Sequence, residues 1–144
     1  MILVIDANIV FSILINPKSI VGEKFIELAT DGLFIAPAFL KAEIAKHQNR
    51  IIEITKRSLV EIELLRDFIF EKIHFYPSEK VPLEFDNHAL ALLKGYDQKD
   101  VPYLAFALYY GALIWTGDKP IRTALEAKGF NICISTQELS QNNL

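Results

Sequence analysis

The sequence contains very little of what disulfide-bonded or zinc-binding domains need. Its 144 residues include a single cysteine, Cys133, and only three histidines. A lone cysteine cannot form a disulfide within the chain, so the fold does not depend on an oxidising compartment. With so few thiol and imidazole ligands, a structural zinc site is not expected either.

The chain also lacks an excess of positive charge and a long apolar run. Its 15 lysines and arginines are outnumbered by 18 aspartates and glutamates, which excludes a polycationic coat for nucleic acid. The apolar run Met1–Ile5 is too short for a secretion signal, has no basic residue before it and is stopped by Asp6. The uncharged stretch 101–117 contains Pro102 and Gly111, and it favours a buried helix, a glycine cap and a buried strand over a membrane span. We therefore expect a soluble cytoplasmic protein with no membrane association.

The sequence does contain short apolar runs that alternate with helical patterns. The runs typical of buried strands are Ile2–Ile5, Leu33–Ala36, Ala112–Thr116 and Phe130–Ile134, with Ile73–Tyr76 as a weaker candidate. This alternation predicts an α/β fold with a central, mostly parallel sheet of four or five strands, covered on both faces. The length suits one domain, which we place at residues 1–139, and the polar residues 140–144 are predicted to form a frayed tail.

The predicted helices are Asn8–Ile15, Ser19–Thr30, Pro37–His47, Ile54–Lys72, Glu84–Lys94, Pro102–Tyr110 and Pro120–Lys128. The helix at 54–72 is apolar over an arc wider than one core contact requires. We therefore expect a homodimer, a higher homo-oligomer or a partner helix to cover part of it. The region 49–80 contains no functional motif.

Two aspartates lie close behind predicted strands. Asp6 ends the first apolar run, and Asp118 follows the run that ends at Thr116 after one glycine. Ligands of open parallel sheets bind at the carboxyl ends of strands, so both side chains would face the usual site. Each aspartate taken alone is explained as well or better as the N-cap of the next helix.

Two further acids adjoin segments that must belong to the core. Glu43 lies on the apolar face of its predicted helix, where an ionised side chain is costly without a charge partner or a metal. The structural explanation is that Glu43 borders this face and reaches water along its methylenes. Asp100 precedes the apolar helix 102–110, with Asp97 three residues earlier, and both also suit the positive end of the helix dipole.

The acids Asp6, Glu43, Asp100 and Asp118 change the interpretation when they are taken together. Subtracting them from the 18 acidic residues leaves 14 against 15 basic ones, so the rest of the chain is not acidic. Converging carboxylates repel one another unless a cation neutralises them, and all-oxygen ligands suit Mg²⁺ or Mn²⁺ rather than zinc. An acidic pit in a near-neutral surface favours a metal-dependent enzyme acting on a polyanion.

Four segments, in chain order, resemble the motifs of PIN-domain nucleases. They are Val4–Val10, Pro37–Glu43, Asp97–Leu108 and Ile114–Lys119, and the third is the nearest match. The resemblance extends from residue 4 to about residue 130. It implies a PIN-like (Rossmann-like) three-layer α/β/α domain.

The resemblance also implies a set of site residues. The catalytic and metal-binding quartet would be Asp6, Glu43, Asp100 and Asp118, holding one or two Mg²⁺ or Mn²⁺ ions. Asn8 and Thr116 would hold carboxylates and water by hydrogen bonds, and Asp97 would be an additional acid behind them. The implied reaction is endonucleolytic hydrolysis of single-stranded RNA by a metal-activated water. Pro120 departs from the family pattern, which frequently has an acid or a polar residue there.

Candidate substrate contacts come from positive charge near the implied site. Lys119 and Arg122 follow Asp118 and are the preferred candidates for phosphate contacts. Lys46 belongs to a basic stretch at 41–57 that would follow a phosphate backbone, or would simply be a solvated helical face. Small stand-alone PIN proteins resemble VapC-type toxins, so an antitoxin that covers the site is an expected partner beside the RNA substrate.

Two other classes of protein also place an aspartate after the first strand. A haloacid-dehalogenase-like phosphatase needs a second aspartate where this chain has Asn8. A receiver domain needs a phosphorylatable aspartate at a mid-chain strand end, which the region around Thr55 does not offer. The remaining alternative is a non-catalytic PIN-fold scaffold or RNA-binding module that keeps its acids for stability.

Overall fold

A computed structural model describes residues 1–141 and contains one sheet of five short strands. They are β1 (Leu3–Ile5), β2 (Phe34–Pro37), β3 (Ile73–Tyr76), β4 (Leu113–Trp115) and β5 (Cys133–Ile134). The order across the sheet is β3-β2-β1-β4-β5, and every neighbouring pair is parallel. The predicted α/β fold with a parallel sheet is confirmed. The strand order reverses between β1 and β4, which is the switch point where ligands of such sheets bind.

Helices flank the sheet. Their bounds are α1 (Ala7–Ile15), α2 (Ile20–Ala29), α3 (Leu40–Lys46), α4 (Gln48–Thr55), α5 (Leu59–Glu71), α6 (Leu83–Leu92), α7 (Val101–Tyr110), α8 (Lys119–Ala127) and α9 (Thr136–Gln141). Single turns of 3₁₀-helix lie at Ser78–Lys80 and Gln98–Asp100. Within residues 1–141, the helices are all too short or too polar to cross a membrane.

The core lies around β1 and the uncharged stretch 101–117. All three residues of β1 are fully buried, as the central strand of a parallel sheet requires. Helix α7 packs against β1, β2 and β4 and buries Tyr103–Ala107. Gly111 ends α7 in the left-handed conformation, with φ of 64°, and β4 follows. The stretch is therefore the predicted helix, glycine cap and strand.

The segment 48–72 differs from the single helix predicted at 54–72. It forms two helices, α4 and α5, because Lys56 adopts a left-handed conformation with φ of 59° and ends α4. Ser58 then caps α5, since its side chain accepts a hydrogen bond from the Glu61 amide. Glycine and asparagine adopt the left-handed conformation readily and would have indicated a helix end here, whereas lysine does not.

Two smaller differences concern the ends of elements. Pro37 closes β2, so the helix predicted to begin there starts at Leu40 instead. The predicted frayed tail overlaps α9 at Ser140 and Gln141, while residues 142–144 lie outside the described residues. Helix α9 was not predicted, because its six residues are too few to show a clear helical period.

Candidate metal centre

Asp6 and Asp118 both cap helices at the switch point of the sheet. Asp6 follows β1, and its Oδ1 accepts a hydrogen bond from the Ile9 amide at 3.1 Å, which caps α1. Asp118 follows β4, and its Oδ1 accepts from the Ile121 amide at 3.1 Å, which caps α8. Both side chains also line one cavity of about 360 Å³. Capping and a position in the candidate site, which the sequence presented as alternatives, are therefore compatible.

Glu43 reaches the same cavity from the first turn of α3. The buried face of α3 is formed by Leu40 and Ile44, so Glu43 lies on its border and is half-buried. Its Oε1 accepts a hydrogen bond from the Tyr103 hydroxyl at 3.1 Å. Tyr103 lies in the helix that the sequence predicts to be buried, and a buried tyrosine usually needs a partner for its hydroxyl.

Asp100 and Asp97 reach the cavity from the turn before α7. Asp100 is half-buried, whereas Asp97 is exposed and accepts a hydrogen bond from the Lys99 amide at 3.0 Å. Asn8, in the first turn of α1, also lines the cavity. Six of the residues named from the sequence therefore surround one space: Asp6, Asn8, Glu43, Asp97, Asp100 and Asp118.

Thr116 lies beneath this space and joins the two capping aspartates. Its Oγ1 accepts a hydrogen bond from the Asp118 amide at 3.1 Å. A hydrogen bond between the Thr116 hydroxyl and the Asp6 carboxylate lowers the pKa of Asp6. Thr116 is buried and lines a small cavity with Asp6, Asp100 and Asp118. It is thus placed to fix the relative position of the two strand ends.

Burial and mutual repulsion act on the acids of the cavity. Burial is the main cause that raises the pKa of Asp6 to about 6, with the charge of Asp118 adding to it against the hydrogen bonds from Ile9 and Thr116. The pKa of Asp100 is also raised to about 6. Burial is the largest cause, and the charges of Asp118 and Asp6 come next. Both groups are therefore poised to ionise fully when a cation is present.

The sequence and the site agree with one family. A family model described as PIN domain matches residues 4–135. The chain belongs to the PIN-domain family. A search of curated proteins gave no match to this sequence. PIN domains are generally nucleases that use divalent metal ions, so membership supports nuclease-type chemistry in general.

The donors of this PIN domain fit a hard divalent cation. Carboxylates line the cavity together with the Asn8 side chain, and such oxygen donors suit Mg²⁺ or Mn²⁺. Among residues 1–141, no three histidine, cysteine or acidic side chains are close enough to enclose an ion.

The basic residues named from the sequence are placed differently from the acids. Lys119 lines a neighbouring cavity beside Asn8 and Asp118. The Arg122 guanidinium forms ion pairs with Glu138 on α9 and with Glu126, and it does not line the acidic cavity. Lys46 is exposed on α3 and does not line it either.

Two other basic residues, Arg50 and Lys99, line the acidic cavity. Neither forms an ion pair or a side-chain hydrogen bond with any described residue. Arg50 falls within the basic stretch 41–57 noted in the sequence, whereas Lys99 was not predicted to be a site residue. Lys99 lies between Asp97 and Asp100, a position from which a site role could have been inferred.

Proposed function

We propose that this PIN domain is a Mg²⁺- or Mn²⁺-dependent ribonuclease that hydrolyses single-stranded RNA endonucleolytically. The observation that supports it most is the convergence of Asp6, Glu43, Asp100 and Asp118 from four separate segments on one cavity at the switch point of the sheet. A bound divalent ion would supply a water of lowered pKa and stabilise charge on the phosphodiester oxygens. RNA as the substrate comes from the family resemblance.

The protein's own residues would fix the geometry around that reaction. Asp6 and Asp118 are held by their hydrogen bonds to helix amides, and Thr116 lies between them. Tyr103 orients the carboxylate of Glu43 from the opposite side. Catalytic groups held in place by packing and hydrogen bonds lose little free energy to reorganisation during the reaction.

The charge of the cavity explains why such an enzyme would need the cation for binding as well. Five carboxylates and two basic side chains line it, giving a formal charge of −3 with histidine neutral. This field repels a polyanion until a divalent cation offsets it. Arg50 and Lys99 at the cavity, and Lys119 beside it, are the side chains proposed to contact phosphates of the strand.

The decisive experiment is cleavage of a mixed single-stranded RNA pool with Mn²⁺ or Mg²⁺, with EDTA as the metal-free control and matched single-stranded DNA alongside. We expect cutting by the wild type that EDTA and Asp6→Asn both abolish. Asp31→Asn is the matched control, because Asp31 is an exposed aspartate outside the cavity. Folded protein that binds metal and cuts neither nucleic acid under any of these conditions would contradict the proposal.

A non-catalytic PIN-fold scaffold or RNA-binding module is the second candidate. It is favoured by one observation, namely that Asp6 and Asp118 both cap helices and so have a structural use without catalysis. Under this alternative, RNA binds without being cut, and EDTA does not change its affinity. Filter binding in EDTA, run with the cleavage assay, separates the two candidates.

The toxin role in a toxin–antitoxin pair is a further part of the proposal. Its support is the resemblance of small stand-alone PIN proteins to VapC-type toxins. Expression of the wild type in a bacterial host should arrest growth, whereas expression of Asp6→Asn should not. Normal growth with both proteins expressed at equal levels would contradict the toxin role.

Homo-oligomer formation also stays a prediction. The residues Leu59, Val60, Leu64 and Phe68 are exposed along α5, as the wide apolar arc of that segment suggested. Light scattering of the wild type and of Leu64→Glu tests it. A monomeric wild type would contradict it.

A further inference from the structure

The cavity has two halves of different chemistry. One half carries the acids of the candidate metal centre. The other is formed by Phe11 and Ile15 on α1 and by Ile51 and Ile54 on α4, and we call these four residues the apolar lobe. Helices α1 and α4 pack against each other, so the lobe is part of the folded body of the domain and not of a loop.

The lobe exposes apolar surface that the core does not need. Ile51 is buried and forms its floor, whereas Ile54 is 51% exposed and Ile15 is 39% exposed. The Phe11 ring is held by the His47 ring, which meets it edge to face at a centroid distance of 5.3 Å. A preformed apolar surface beside a few polar groups is typical of a ligand site.

The charges at the rim indicate what kind of ligand fits. Arg50 directly precedes Ile51 in the chain and lines the same cavity, and within residues 1–141 it pairs with no acid. Lys99, on the acidic side of the cavity, likewise pairs with no acid among the described residues. A ligand with a flat apolar face and attached negative charge matches this combination, whereas a plain hydrocarbon side chain leaves Arg50 without a partner.

We propose that the apolar lobe binds one unpaired nucleobase of the substrate strand, with Arg50 on an adjoining phosphate. This inference rests on the proposed function and names what the site selects. Every base has an apolar face that can pack on the lobe, while its edges reach polar side chains such as His47 and Asn8. A base inside a duplex is already stacked and paired, so the lobe would favour single strands.

The test compares nucleotides with a probe that has no base. The four nucleoside 5′-monophosphates and ribose 5-phosphate are titrated into wild-type protein with Mg²⁺, and each Kd is measured by calorimetry. We expect at least one nucleotide to bind about fivefold more tightly than ribose 5-phosphate, or better. Ile54→Ala should remove most of this difference and leave the Kd of ribose 5-phosphate unchanged. Ile26→Ala is the matched control, because Ile26 is 52% exposed on α2, outside the cavity.

Three results would overturn the inference. They are equal affinity for nucleotides and ribose 5-phosphate, no binding of any nucleotide, and an equal loss of affinity for both probes in Ile54→Ala. Any of them would leave the lobe to a different occupant, such as an apolar side chain of a partner protein. RNA cleavage measured on the same preparations keeps the two proposals apart. Base-dependent binding without metal-dependent cleavage contradicts the nuclease alone, and cleavage without base-dependent binding contradicts the nucleobase site alone.

Discussion

Tyr103 donates a hydrogen bond from its hydroxyl to Glu43 Oε1 at 3.1 Å and so connects α7 with α3 across the candidate metal centre. Burial raises the pKa of Tyr103 well above its usual value, and the nearby Glu43 charge adds to the rise, so the hydroxyl stays a donor at all ordinary pH values. The Tyr103 ring also packs edge-on against Phe39 at a centroid distance of 5.3 Å. Glu43 is thereby held in one orientation on the border of its helix.

Removal of this hydroxyl should weaken the metal centre without unfolding the domain. Tyr103→Phe keeps the ring packing, and the loss of one hydrogen bond should cost about 1 kcal/mol of stability. We expect Mn²⁺ affinity and kcat to fall while the KM for RNA stays unchanged. Calorimetry with Mn²⁺ and steady-state kinetics measure these quantities. Tyr109→Phe, at a 41% exposed tyrosine of the same helix, is the control, and equal behaviour of the two variants would refute a positioning role for Tyr103.

The two uses of Asp6 can be separated by two substitutions. Asp6→Asn keeps an oxygen that can cap α1 and removes the buried charge, so the metal-free variant should be as stable as the wild type at pH 7.5, or more stable. Asp6→Ala also loses the cap, which costs about 1 kcal/mol. Urea denaturation in EDTA compares the three proteins. A loss of stability in Asp6→Asn as large as that in Asp6→Ala would show that the charge itself stabilises the fold.

The raised pKa values predict how stability depends on pH. Asp6 and Asp100 have pKa values of about 6 in the folded protein against 3.8 when unperturbed, so the folded state holds protons that the unfolded state releases. Their stabilising contribution is complete below pH 3.8 and is lost as the pH rises through about 6. In EDTA, the free energy of unfolding should therefore be lower at pH 7.5 than at pH 5, with Asp6 contributing about 1 kcal/mol of the difference.

The control for this pH dependence is Asp6→Asn, which should show a smaller difference between pH 5 and pH 7.5. Glu138 interferes little, because Arg122 lowers its pKa to about 2 in the folded protein and its ordinary value of 4.5 leaves it mostly ionised at pH 5 in the unfolded chain. Addition of Mg²⁺ should raise stability more at pH 7.5 than at pH 5, since ionised carboxylates bind the cation. The same slope in the wild type and in Asp6→Asn would contradict the assignment to Asp6.

The basic residues should divide into two groups when they are substituted. Arg50→Gln and Lys99→Gln should each raise the KM for RNA. Each should also reduce the slope of log Kd against log salt concentration by about one, the value for one lost phosphate contact. Arg122→Gln should lower stability, because it leaves Glu138 without its ion-pair partner, and should leave the KM unchanged. Steady-state kinetics at several salt concentrations and thermal melts provide both readouts. A larger KM effect in Arg122→Gln than in Arg50→Gln would reverse our assignment of these residues.

Much of the acidic site could be predicted because it depends on local patterns. Asp6 and Asp118 follow apolar runs at the ends of strands, and a parallel sheet brings such ends to one edge. Glu43 was found from helical spacing, and the helix does place it toward the cavity. Asp100 was found because it precedes a strongly apolar helix, α7.

The rest of the site depends on contacts between segments that are distant in sequence. Nothing near Tyr103 indicates that its hydroxyl meets Glu43, which lies 60 residues earlier. Arg50 lines the cavity from α4, whereas the helix predicted from the sequence in this region began only at Ile54. The ion pair of Arg122 with Glu138 required α9, which is too short to predict from its pattern.

The most direct test of the central claim is calorimetric titration of Mn²⁺ into the wild type, Asp118→Asn and Asp31→Asn. The asparagine at position 118 can still cap α8, so folding is retained and only the carboxylate is lost. We predict that the wild type and Asp31→Asn bind Mn²⁺ with the same Kd, and that Asp118→Asn binds it about tenfold more weakly or worse. At pH 6 the wild type should also release protons on binding, because Asp6 and Asp100 then become fully ionised. Equal Mn²⁺ affinity in all three proteins, or no binding by the wild type, would contradict a divalent-cation centre at these carboxylates.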